Sequence, residues 1–88
     1  MDSFKINFNV PFEINKKQAT ILSEEFSSLD SQIYISKDDC YRKCNAKSSL
    51  GLLSLNIDKL DNVSIQVNGQ NCIADATKIQ NYFNLPPS

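Results

Sequence analysis

Phe4, Ile6, Phe8 and Val10 alternate with Lys5, Asn7 and Asn9. A period of two places the apolar set on one side of a strand and leaves the other side to water. Pro11 ends it, because proline offers no amide proton to a ladder. The period then changes. Ala19, Leu22, Phe26 and Leu29 mark one stripe of a helix over about residues 16 to 28, with Asn15 ahead of it as a favoured N-cap. Ile33 and Ile35 flank Tyr34 in a second strand. Lys37-Asp38-Asp39 reads as a hairpin turn, and a third strand runs from Tyr41 to Ala46 with Cys44 and Ala46 on a common face. The most apolar run follows, from Ala46 to Ile57. Leu50, Leu53 and Ile57 recur at helical spacing, and Leu52 and Leu55 widen the stripe. Ser48 or Ser49 can cap this helix, which is too short to persist without tertiary packing.

Asp58 to Asn62 is a polar loop. Val63, Ile65 and Val67 alternate as a fourth strand, and Asn68-Gly69 stops it. Cys72, Ile73, Ala76, Ile79 and Phe83 form a last amphipathic stripe, and Leu85-Pro86-Pro87-Ser88 cannot continue it. The order strand, helix, strand, strand, helix, strand, helix predicts an α+β fold. An antiparallel sheet with the helices on one face buries every stripe in two layers. Leu22, Phe26, Ile65 and Ile79 are then expected between the layers. One domain is expected over residues 1–88, its core at about 4–83 and a short tail at 84–88.

Three totals narrow the chemistry. A net charge of −1 makes no electrostatic case for nucleic acid or an anionic membrane. No apolar run approaches the ~20 residues of a membrane span, and the N-terminus has no signal-peptide pattern, so a cytoplasmic location is expected. The chain has no histidine, which removes the commonest general base and metal ligand and any phosphohistidine. Cys40, Cys44 and Cys72 are an odd set without zinc-site spacing. Idle or buried thiols fit them better than a metal site or a cysteine nucleophile, so neither a cofactor nor an enzymatic activity is expected.

The order and lengths of the elements, with the segment Lys47-Ser48-Ser49-Leu50-Gly51-Leu52-Leu53-Ser54-Leu55-Asn56-Ile57, resemble HPr, the small phosphocarrier family of the bacterial sugar phosphotransferase system. The resemblance runs from about Phe4 to Phe83. It implies an HPr-like open-faced sandwich with strand order 1-4-2-3. Ser48 falls on the serine that a dedicated kinase phosphorylates in many Gram-positive members. The family's second motif is a histidine, a variable residue, an arginine and a proline at the start of the first helix. Here Asn15 stands for the histidine, Lys17 for the arginine and Gln18 for the proline, and only Ala19 is familiar. An amide nitrogen is not nucleophilic, so Asn15 cannot accept a phosphoryl group. Lys17 keeps the charge and loses the planar fork of arginine.

The resemblance therefore implies a member that binds partners and does not carry phosphate. The catabolite-repression HPr-like subgroup is the parallel: it also lacks the histidine, keeps the serine, and acts with a LacI-type repressor. It differs in carrying glutamine at the active position and keeping the arginine-proline pair. On this reading Ser48 is the regulatory phosphorylation candidate, with Ser49 beside it. Lys16, Lys17, Ser49, Leu50 and Leu53 are partner-binding candidates, and an HPr-type serine kinase and a LacI-type or other regulator are the implied partners. The plainer reading is that Asn15 and Ser48 are helix caps, Lys16 and Lys17 a solvated face, and the chain a scaffold derived from HPr with no phosphorylation.

Overall fold

A computed structural model describes residues 2–37 and 43–83. The elements are β1 (Ser3–Asn9), α1 (Lys16–Ser27), β2 (Gln32–Lys37), β3 (Lys43–Asn45), α2 (Ser49–Ser54), β4 (Asn62–Asn68) and α3 (Cys72–Tyr82). The expected turn at Lys37-Asp38-Asp39 and the start of the third strand at Tyr41 lie largely outside the described residues, as does Cys40. The strands form one antiparallel sheet in the order β1-β4-β2-β3. Ile6 lies opposite Ile65, and Ile65 opposite Ile35, so a single apolar row crosses three strands. Ile33, beside Val67 in the next row on that face, joins them. The period-two pattern governs this register, since a slip of one residue would turn each strand's apolar set to water.

The helices cover that apolar face. Ala19, Leu22 and Phe26 from α1, Leu52 from α2 and Ala76 and Ile79 from α3 are buried against Ile33, Ile35, Val63, Ile65 and Val67. The four residues expected between the layers, Leu22, Phe26, Ile65 and Ile79, are all there. An aromatic cluster closes the end of the core nearest the α3 C-terminus. Phe83 stacks on Phe12 with ring centroids 5.6 Å apart and meets Phe8 at 4.8 Å. The other face of the sheet carries Lys5, Asn7, Tyr34, Asn45 and Gln66, a polar side left open, with Lys43 Nζ 5.6 Å above the Tyr34 ring.

Two stripes differ from the pattern. The spacing groups Leu50 with Leu53 and Ile57, yet Leu50 is 77% exposed; Leu52 and Leu55 hold α2 to the core. A helix this short turns fewer than two full turns against the sheet, so one shift in register decides which leucine is inside. Ile57 is buried from a position beyond the helix, where spacing says nothing about direction. On α3, Ile73 is exposed, and Cys72 and Asp75 take the inward positions. The buried Asp75 is a structural tie: its Oδ2 accepts from Ser31 Oγ at 2.6 Å and from Ser31 N at 3.1 Å, joining α3 to the turn before β2.

Candidate functional site

The N-terminus of α1 is built by its cap. Asn15 is extended, and its Oδ1 accepts from the N–H of Gln18 at 2.9 Å. That bond satisfies one of the four donors a helix leaves unpaired at its start. Asn15, Lys16 and Lys17 are exposed and Gln18 is half-buried. Lys16 and Lys17 occupy the first turn, where their charge opposes the helix dipole, and the first turn holds no acid. No ion pair forms at either lysine among the described residues.

The N-terminus of α2 repeats the arrangement with a different atom. Ser48 is extended and exposed, and its Oγ accepts from the N–H of Gly51 at 3.2 Å. A hydroxyl that accepts still has its proton to give, and that proton has no acceptor among the described residues. Of the two candidate serines, Ser48 is therefore the cap; Ser49 is the first helical residue and half-buried. Gly51 carries the close approach of α2 to the sheet. A Cβ there would lie 3.2 Å from the Asn45 carbonyl oxygen and 3.4 Å from Cys44 Cβ. Leu53 packs half-buried on the core and Leu50 stands in solvent beside the serines.

Two hydrogen bonds set the helices antiparallel. Ile14 N–H donates to Ile57 O at 3.0 Å, past the end of α2 and at the start of α1. Lys47 Nζ donates to Leu29 O at 2.8 Å, before α2 and past the end of α1. The candidates thus fall into two groups. Asn15, Lys16, Lys17 and Gln18 sit at one end of the helix pair, and Ser48, Ser49 and Leu50 at the other. The 12 residues of α1 put about 18 Å between them. Lys47 reads as a surface lysine in the sequence, and only packing shows that it ties Ser48's end of α2 to α1.

Among the described residues no three of the ligating types stand close enough to hold a metal ion, and no helix is long and apolar enough to cross a membrane. Cys44 is half-buried, its Sγ 3.7 Å from Ser54 Oγ, and Cys72 is buried.

This architecture has known counterparts. HPr of Bacillus anthracis superposes with a TM-score of 0.84 at 21% identity, covering 94% of this chain and 99% of that one. Crh, the catabolite repression containing protein of Bacillus subtilis, described as an intertwined dimer with a swapping domain, superposes at 0.73 with 22% identity over the whole of both chains. An HPr of Thermoanaerobacter tengcongensis, described as a dimer, is 29% identical, covers 74% of this chain and 77% of that one, and has a TM-score of 0.59. No curated protein matches the chain. The sequence profile described as the PTS HPr component phosphorylation site matches residues 3–84, although the chain has no histidine. With the β1-β4-β2-β3 sheet under its helices, that match over nearly the whole length shows that this chain belongs to the HPr family of the phosphotransferase system.

Proposed function

We propose that this HPr-family protein is a regulatory protein-binding module, switched by phosphorylation of Ser48, and not a phosphocarrier. The observation that carries the reading is the contrast between its two helix caps. At α1 the cap is a carbonyl oxygen of Asn15, engaged with Gln18 N–H and attached to a non-nucleophilic amide. At α2 it is an exposed hydroxyl, in extended backbone, beside an exposed leucine. A phosphoryl group there adds about two negative charges at the edge of an apolar surface, suited to an arginine-bearing partner. The fold is spared, because the phosphate projects from a cap and not from the core.

Labelling tests both halves. Incubation with phosphoenolpyruvate and the general phosphotransferase enzyme leaves the chain unlabelled, and HPr-type serine kinase with ATP labels it on Ser48. Acid-labile phosphate after the first incubation overturns the non-carrier half. Absence of label after the second overturns the switch and favours the scaffold reading. Regulatory partners of the kinase and LacI-repressor type belong to this proposal, and a cytoplasmic site of action goes with them.

A further inference from the structure

We propose that a second copy of this chain docks on the outward face of α1, forming a symmetric dimer in which the two α1 helices run antiparallel. The charges of that face run against their own helix. Lys16 and Lys17 occupy the first turn and Glu24 and Glu25 lie near the end, with no acid in the first turn and no base in the last. Each pair therefore opposes the partial charge of the end it occupies. The helix does not let them neutralise one another either. Ion pairs on a helix form at three or four residues' separation, and Lys17 and Glu24 are further apart, with Thr20 and Ile21 between. All four charged side chains are exposed, and none forms an ion pair among the described residues.

What one chain leaves uncompensated, two chains complete. A two-fold axis crossing α1 near Thr20 and Ile21 brings Lys17 of each copy opposite Glu24 of the other, the two charges at the centre of the outward face, while Lys16 and Glu25, nine residues apart, flank it on opposite edges. An isologous contact repeats every pairing, so both ends are neutralised by the same operation. The centre of the face is apolar: Ile21 is 42% exposed and meets its own image at the axis. Leu50, 77% exposed, stands on the neighbouring α2, on the same side of the sheet. Exposed ion pairs contribute little each and are screened by salt, so the dimer is weak and salt-sensitive.

Sedimentation velocity of the whole chain tests this, over a hundredfold range of concentration reaching about 1 mM at low ionic strength. A monomer–dimer equilibrium is expected, weakened by about tenfold or more when salt rises to about 0.5 M. Two charge-reversed variants decide the face. Lys16→Glu with Lys17→Glu, and separately Glu24→Lys with Glu25→Lys, each present one sign along the whole helix and stay monomeric. Mixed in equal amounts they form a heterodimer, because acid then faces base at both ends. Circular dichroism of each variant confirms that it remains folded. A wild-type chain that is monomeric throughout overturns the proposal. So does a dimer that both reversals leave intact, which would join the copies by another surface, and so does a mixture that fails to associate. Kinase labelling of Ser48 is read separately, so failure of the dimer and failure of the switch are distinguishable.

Discussion

The N-termini of α1 and α2 solve one problem with two atoms. Each helix leaves free N–H groups at its start, and each is capped by the side chain of the residue before it, at 2.9 Å from Asn15 Oδ1 and 3.2 Å from Ser48 Oγ. As structure the caps are nearly equivalent, since asparagine and serine rank close together at this position. As chemistry they are opposites. The amide nitrogen of the asparagine has its lone pair delocalised into the carbonyl and does not attack phosphorus, and the serine has a hydroxyl whose proton has no acceptor among the described residues. A residue's structural role therefore does not reveal whether its site is reactive; the atom that performs the role does.

The largest expected effect separates the caps outright. Ser48→Ala abolishes labelling by HPr-type serine kinase, and Asn15→Ala leaves it unchanged; phosphopeptide mapping reads both. Label that persists in Ser48→Ala and vanishes in Ser49→Ala moves the acceptor by one residue. Asn15→His alone restores little transfer from phosphoenolpyruvate, because Lys17 and Gln18 still occupy the arginine and proline positions. Transfer at the rate of an active carrier would show that those two positions do not matter.

Next come the residues that seat each helix. Phe26→Ala costs about 3–5 kcal/mol and Leu52→Ala about 2–5 kcal/mol in denaturant unfolding, both large against the 5–15 kcal/mol of a typical domain. Leu50→Ala, exposed on the same helix as Leu52, stays within about 0.5 kcal/mol. A Leu50 effect as large as that of Leu52 would mean that α2 is turned the other way.

The caps themselves rank lower. Asn15→Ala and Ser48→Ala each cost about 1 kcal/mol, and Asn15→Gly only a few tenths. Ser48→Asp keeps the cap and adds a charge the dipole favours, so its stability stays within about 0.5 kcal/mol of the unmutated chain. A Ser48→Asp chain that unfolds readily would contradict a phosphate borne at low cost to the fold. Opposite in sign, Lys17→Glu stabilises the isolated monomer by about 0.3–1 kcal/mol, seen as a higher Tm at low ionic strength.

Much of this was legible in the sequence for a definite reason. Alternation at Phe4, Ile6, Phe8 and Val10 and the stripe Ala19, Leu22, Phe26 state a period and a buried side together, and a two-layer fold has few ways to bury such stripes. Asn15 was legible as a cap because its position before a polar first turn allows little else. The resemblance of Lys47 to Ile57 to HPr singles out Ser48, and the lack of histidine is a fact of composition. Both concern residue identity, which the sequence states directly.

Other features had no local signal. Leu50 and Leu52 are equally apolar, and only the seat of α2 against β3, with Gly51 against the Asn45 carbonyl, decides that one is outside and the other in the core. Ile73, expected in the buried stripe of α3, is exposed, and Asp75 is buried because Ser31, 44 residues away, supplies the donors that let a carboxylate be buried. The antiparallel setting of α1 and α2 comes from Ile14 with Ile57 and Lys47 with Leu29, and it is what places Asn15 and Ser48 at opposite ends of the helix pair. The sequence by itself determined the periods, the cap at Asn15 and the pair of serines from which the α2 cap is drawn, because these depend on neighbours along the chain. Which apolar residue faces water, which charge is paired and which sites share a surface depend on groups brought together from distant parts of the chain, and only the tertiary structure could decide them.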